Sequence, residues 1–516
     1  MQNNFPSYSK KVIVLILVSI AIKILIAGLL ELGNDEVYYW TYAIQPDWNH
    51  FDHPPMVGWM IRLFTFNLHW VSDISLRLTG IIGAGIATWF IFLTAKLISN
   101  ERAGWFAALI YQFAVYSSII AGLFILPDSP QMPFWTASLY CMATLLFVPD
   151  SENKISNWLM LGALIGLACL CKVHGLYLWV GFGICILLCK IKWLSNWRLY
   201  TSILFTVVFL LPIVFWNIQY NFITYKFHSE RVSHTSLQWD MLGREVAGEF
   251  AYQNPVLFIL ILIALIAFVR NRFKVSKKGV STWLLSMSIP MILLFWGISL
   301  FNPTLPHWSG PAYIPLFIFV AIYLDHRSKN KTSPFLFVAG SFLIVTLIAG
   351  IAIVRLSPVN FGSKEKENYG EYCPTLDLTG WSDFSDEFAK LVQTDRAHNL
   401  MKEHAFLIVS KWFPGGHLEF YTARKTGQTL IGIGPLQDIH KFAWLNKDRN
   451  KMQLGVDAYC IVPSNLPFDV HTEYAQYFDS IQNPVIINQV RSGGVVRYFK
   501  IYRLIGCKKI PEAQIK

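Results

Sequence analysis

Long apolar stretches separated by short polar links fill the first two-thirds of the chain. The first, Val12 to Leu30, follows Lys10 and Lys11. It is too long for a signal-peptide core and has no clear small-residue cleavage site, so it reads as a retained helix. Further apolar runs lie at 75–97, 104–125, 131–148, 157–171, 174–189, 199–216, 254–270, 281–300, 309–325 and 334–355. Roughly 20 apolar residues cross the hydrocarbon of a bilayer, so the pattern predicts a mostly α, polytopic protein with about eleven transmembrane helices.

After Arg355 the pattern changes to that of a soluble α/β domain. A helical stretch over 382–401 is followed by strand-like runs at 405–410, 429–434 and 458–464. The end reads as a hairpin, PVIINQV-RSGG-VVRYFKIYRLI, turning at Gly493-Gly494. The expected division is a transmembrane domain over 1–355, with outer loops 31–74 and 217–253, and an extracytoplasmic domain over 356–516.

Charge fixes the orientation. With the N-terminus inside, the cytoplasmic links contain Arg102, Lys154, Lys190, Lys192, Arg198, the run Arg270 to Lys278, Arg327, Lys329 and Lys331. This is the bias that membrane insertion demands. The other side receives 31–74, the turn 126–130, 217–253, the link 301–308 and everything after residue 356. Composition agrees: 54% of residues are hydrophobic and only 15% charged, against about 25% charged in soluble proteins. The net charge of +11 thus reflects orientation and does not point to nucleic acid. Five of the eight cysteines (Cys141, Cys169, Cys171, Cys185, Cys189) lie in apolar runs, where Cys behaves as a small hydrophobe. Cys373, Cys460 and Cys507 belong to the outer domain, where an oxidising compartment would allow one disulfide.

Candidate chemistry gathers on the outer side. The stretch ELGNDEVYYWTYAIQPDWNHFDHPPMVGWMIR, Glu31 to Arg62, holds Asp35, Glu36, Asp47, Asp52, His50, His53 and the rigid Pro54-Pro55. A carboxylate at the membrane edge suits general-base work, since low dielectric and like charges tune its proton affinity. Met56 to Phe66 is too short to span and reads as an interfacial helix. Asp128, in Leu126-Pro-Asp-Ser-Pro130, is either a second acidic group or a helix cap. Lys172-Val-His174 interrupts an apolar stretch, where an ionisable group costs about 2.5–3.5 kcal/mol unless it snorkels or is paired. In 217–253, Lys226, His228, Glu230, Arg231 and His234 offer a phosphate-binding face or a solvated one. The His and carboxylate side chains leave a divalent metal open, although no metal-type spacing stands out.

DEVYYWTYA followed by FDHPPMVGW resembles the GT-C glycosyltransferases, in the bacterial branch related to protein O-mannosyltransferases and to the aminoarabinose transferase that modifies lipid A. The resemblance covers most of 10–325 and implies transfer of a sugar from a polyprenyl-phosphate carrier to an extracytoplasmic acceptor (lipid A, a glycan or a protein) in a bacterial inner membrane. Asp35 matches the family's first-loop carboxylate and Asp128 its second-loop Asp, which implies a catalytic set of Asp35, Glu36 and Asp128. His53 stands where the aminoarabinose transferases have Lys in Glu-Lys-Pro, a contact to the carrier phosphate. His228-Ser-Glu-Arg231 resembles their His-x-x-Arg, so Arg231, His53 and Lys172 are the expected phosphate ligands. Leu305-Pro306-His307-Trp308 resembles Leu-Pro-x-Tyr, with Trp308 replacing Tyr. Tyr38, Tyr39, Asp52, His174, His228, His307 and Trp308 then fall to the substrate pocket. The Trp-Trp-Asp signature of oligosaccharyltransferases is absent. The competing class is a transporter or flippase of lipid-linked sugars. Repeated halves and broken midplane helices mark many transporters; here no repeat is visible and the unusual residues share one face.

Overall fold

A computed structural model describes residues 8–230, 236–327 and 333–515. Helices follow in the order α1 (Tyr8–Leu29), α2 (Asn34–Ile44), α3 (Met56–Phe64), α4 (Asp73–Ile98), α5 (Glu101–Phe113), α6 (Asp128–Phe147), α7 (Ile155–Cys171), α8 (Tyr177–Cys189), α9 (Trp197–Gln219) and α10 (Ile223–Glu230). Then come α11 (Trp239–Tyr252), α12 (Pro255–Val269), α13 (Val280–Ser286), α14 (Ile289–Ser299), α15 (Tyr313–Arg327), α16 (Pro334–Leu356) and α17 (Trp381–Ala397). The strands are β1 (Phe406–Val409), β2 (Leu430–Gly432), β3 (Ala458–Pro463), β4 (Phe478–Ile481), β5 (Val485–Arg491) and β6 (Gly494–Cys507). The chain forms two units, one of residues 1–25, 48–64 and 74–346, the other of 26–47, 65–73 and 347–516.

In the first unit, five helices among the described residues are long and apolar enough to cross a membrane, counting α1, α4, α9, the α13–α14 pair and α16. α1 exposes Val14, Leu17 and Leu25 and turns its polar Ser19 and Lys23 inward onto Gln112 of α5, as expected of a helix whose outer face is solvated by lipid. Several predicted apolar runs are broken rather than continuous. The run 104–125 ends as a regular helix at Phe113 and continues as a π-helical turn, Tyr116–Ile120. The run 281–300 is divided at Met287–Ser288, ahead of Pro290. α11 and α12 meet at 102°. At that corner Asn254 adopts φ 68 and caps α12, and its side chain donates to the Phe113 and Ala339 carbonyls. A sharp bend is stable when side chains take up the backbone groups it frees. α3 packs Met56 against Leu170, Cys171 and Ile213, so one face of this short helix is core.

The second unit is built on a six-stranded sheet of order β2-β1-β3-β6-β4, with β5 also on β6. β1 pairs parallel with β2 and β3, and β6 runs antiparallel to β3, β4 and β5. The three predicted strands correspond to β1, β2 and β3, and the predicted helix to α17. The hairpin is β5–β6, with Arg491 paired to Gly494 and a two-residue turn, Ser492 (φ 47) and Gly493 (φ 84). Positive φ at both positions is the turn that matches strand twist. α17 lies on the sheet through Phe384, whose ring stacks on Phe499 at 3.9 Å between centroids. Asp395 at its end accepts two bonds from Arg503 (2.6 and 2.7 Å) and one from Tyr459. Cys373, Cys460 and Cys507, among which the sequence allows one disulfide, are buried free thiols. Cys460 and Cys507 pack as hydrophobes in one apolar cluster, while Cys373, in another, also meets the Thr375 hydroxyl at 3.3 Å.

Candidate functional site

In the first unit the site starts from two chain breaks. α6 begins at Asp128, and Ser129 secures the turn by accepting from the Leu126 amide and donating to the Phe124 carbonyl. α7 ends at Lys172, where a 3-10 turn, Val173–Leu176, takes over. Gln131, one turn beyond Asp128, donates to the carbonyls of Ala168 and Lys172 at 3.0 and 2.9 Å. It thereby ties the two breaks together. Lys172 Nζ then donates to Asp128 Oδ2 at 2.9 Å and Oδ1 at 3.2 Å, and the Tyr116 hydroxyl donates to Oδ1 at 2.9 Å. Both charges are buried, Lys172 at 5% and Asp128 at 1% exposure. Asp128 is therefore a counter-ion rather than a helix cap: the N-cap position of α6 is Pro127, and the Asp128 carboxylate accepts from Lys172 and Tyr116. Pairing of this kind gives each buried charge the partner that it would otherwise lack.

Histidines surround the pair. The His174 ring stacks on Phe295 at 5.4 Å and lies 6.4 Å from Trp308. Its Nδ1 is buried without a hydrogen-bond partner among the described residues. His307 is driven down to about 4, first by burial, then by the Lys172 charge, against the pull of Asp128 and with a further push from His53. It is thus a neutral imidazole at neutral pH, within electrostatic reach of Lys172, Asp128 and His53. His53 Nδ1 is 2.9 Å from Asp52 Oδ2, and His228 Nε2–H donates to the Asp52 carbonyl at 2.8 Å. The structure therefore brings together Asp52, His53, Asp128, Lys172, His174, His228, His307 and Trp308 within one unit. Arg231 and His234 lie outside the described residues. Among those residues no group of three or more His, Cys, Asp or Glu side chains is placed to hold a metal ion.

Asp35, Glu36, Tyr38 and Tyr39 belong to the second unit, on α2. Glu36 is buried and folds back to accept from the Gly33 amide at 2.9 Å, closing the start of the helix. Tyr38 is buried against Tyr39, Tyr42 and Trp412, with ring centroids 5.6, 5.4 and 5.0 Å away. Asp35 has a carboxylate neighbour that the sequence did not suggest. Burial raises the Asp377 carboxyl to about 6, Asp35's negative charge adds to this, and Arg497 and hydrogen bonds from Asn34 oppose it. Arg497 is wholly buried, over the Trp381 ring at 4.3 Å, and donates to Gln489 at 2.8 Å and the Thr379 carbonyl at 3.0 Å. Tyr116, Gln131 and Asp377 were all missed, since each looks ordinary in its own stretch. Glu245 and Glu249 were also missed, although their i, i+4 spacing places both on one helix face.

The family model described as dolichyl-phosphate-mannose-protein mannosyltransferase matches residues 52–216. The chain is 24% identical over 293 residues to a lipid A galacturonosyltransferase of Rhizobium johnstonii. That match covers 54% of this chain and 58% of the relative, so the chain spans a little over half the length of the curated protein it matches. The crystal structure of apo ArnT from Cupriavidus metallidurans shares its fold, with a TM-score of 0.57 at 15% identity over 96% of this chain and 98% of that one. The same protein bound to undecaprenyl phosphate gives 0.58 at 15% identity over 95% and 97%. The likeness to the GT-C glycosyltransferases read from the loop motifs is borne out.

Proposed function

We propose that this chain, which shares the ArnT fold, is an integral-membrane glycosyltransferase. It moves a sugar from a polyprenyl-phosphate carrier to an acceptor outside the cytoplasm. The observation that carries this reading is the buried Asp128–Lys172 pair, at 2.9 Å, with His53 and His307 within electrostatic reach. A buried cation held ready by one carboxylate, beside imidazoles, is what an anionic leaving group requires. The match to undecaprenyl-phosphate-bound ArnT supports the carrier, and the likeness to a lipid A galacturonosyltransferase supports a lipid-type acceptor. We take the sugar to be a hexose or pentose. The eleven apolar segments lie in a bacterial inner membrane, with the C-terminal unit outside.

The carrier phosphate meets Lys172, assisted by His53 and Arg231. Asp128 orients Lys172 through both carboxylate oxygens. The acceptor hydroxyl or amine attacks the anomeric carbon as the bond to the phosphate oxygen breaks, so a single displacement inverts that centre. Asp35 takes the acceptor's proton. The electron pair leaves on the phosphate, whose charge the Lys172 side chain stabilises in a site prepared in advance.

The test is mass spectrometry of envelope lipids and glycans from cells carrying the wild-type gene, no gene, or Asp35→Asn. A glycosylated species present only with the wild type is expected, with normal membrane insertion of the variant. Wild-type levels of product from Asp35→Asn remove Asp35 from the proton-transfer role.

A further inference from the structure

One face of α11 carries buried groups that this mechanism leaves unused. Glu245 and Glu249 are 1% and 0% exposed. Glu249 accepts from Trp296 Nε1 at 2.7 Å, from the Tyr313 hydroxyl at 2.9 Å and from Ser309 Oγ. Glu245 accepts from Thr304 Oγ1 at 2.7 Å. Between them, Gly248 lets the helix touch Pro306 so closely that a Cβ there would overlap the proline ring. Residues at i, i+3 and i+4 share one face, so these three form a cradle. The cradle grips the segment before, within and after the link from α14 to α15. A backbone bond from the Gln238 amide to the Leu300 carbonyl, 2.7 Å, adds a further tie.

The gripped segment is the one that bears His307 and Trp308. His307 lies within the field of Lys172 and Asp128. Trp308 packs on Phe295 at 6.2 Å and near His174. From this geometry we infer that α11 is a positioning element for the carrier-phosphate end of the site: Glu249, with Glu245 and Gly248, holds His307 and Trp308 beside the Asp128–Lys172 pair. Two carboxylates do this better than amides, because each oxygen accepts in several directions whereas an amide nitrogen accepts in none. The inference rests on the polyprenyl-phosphate reading above and assigns Glu249 no contact with substrate.

The experiment is a double-mutant cycle on binding of undecaprenyl phosphate to the purified full chain in detergent. Glu249→Gln and Trp308→Ala are each expected to weaken binding roughly tenfold, and together still only roughly tenfold, because residues acting through one another do not add. The unliganded unfolding temperature of Glu249→Gln is expected to stay within a few degrees of wild type, and Glu249→Asp to recover part of the affinity. If Glu249→Gln does not fold, Thr304→Val with Ser309→Ala removes the same grip from the loop side and is read in the same way. Unchanged affinity, or losses that multiply to about a hundredfold, overturns the positioning role. A wild-type protein with no saturable binding of undecaprenyl phosphate overturns the functional reading instead, so the two failures are told apart.

Discussion

Removing Lys172 tests the site at its centre. In Lys172→Met the side-chain volume is nearly kept, but Asp128, at 1% exposure, loses both contacts to the ammonium and keeps only the Tyr116 hydroxyl among the bonds described above. Breaking a buried pair from one side costs about 3–5 kcal/mol, because the remaining charge is neither solvated nor compensated. Asp128→Asn is expected to cost a similar amount by stranding the cation. The double variant Asp128→Asn/Lys172→Met removes both charges and should recover most of that loss, so the cycle reports a coupling of several kcal/mol. Chemical unfolding in detergent micelles measures the stabilities. A titration with undecaprenyl phosphate measures function, and both variants lacking Lys172 should bind at least about tenfold more weakly, since each loses a charge-assisted contact. Stability and binding thus part company in the double variant, which is stable but does not bind. Single variants within about 1 kcal/mol of wild type, or losses that simply add, would refute a buried and coupled pair.

Two further predictions concern the second unit. Because the Asp377 carboxyl is raised to about 6, the folded protein holds a proton that the unfolded chain has already released. The contribution of Asp377 to stability should therefore fall as pH rises from about 4 to about 6, by roughly 3 kcal/mol, seen as the difference in slope between wild type and Asp377→Asn; unfolding measured across pH 4–7 that shows no such difference contradicts the assignment. Gly380→Ala should destabilise by at least about 2 kcal/mol, through the left-handed backbone and the intrusion on a neighbour, since Gly380 has φ 83 and a Cβ there would collide with Gln489, the partner of Arg497. A thermal-unfolding midpoint equal to wild type would count against it.

Much of the architecture follows from neighbours along the chain. Long apolar runs specify helices with a lipid-facing surface such as α1, because burial of that surface is decided locally. The strands Phe406–Val409 and Ala458–Pro463 and the helix Trp381–Ala397 follow from period and turn chemistry, as does the hairpin, although its turn lies at Ser492-Gly493, one residue before the predicted Gly493-Gly494, because Gly494 pairs with Arg491. The sequence also marked Asp128, Lys172 and His53 as unusual, since polar groups bordering apolar runs require a reason, whereas His307 entered only through the family resemblance.

What the sequence left open were the relations between these residues. Asp128 and Lys172 are 44 positions apart, and read alone each has an ordinary explanation, a cap or a snorkelling end. Only their meeting in a dry interior, with Tyr116 and Gln131 closing the gap, makes them a charged pair. The helical stretch Asn34–Ile44, inside an apparent loop, and its membership with residues 347–516 in the second unit are likewise matters of contact. So is the grip of Glu249 on three donors from Trp296 to Tyr313. Local sequence fixes which element forms, through periodicity and backbone freedom. Partnership between buried polar groups is fixed by desolvation, and that exists only once distant segments have packed and driven out the water.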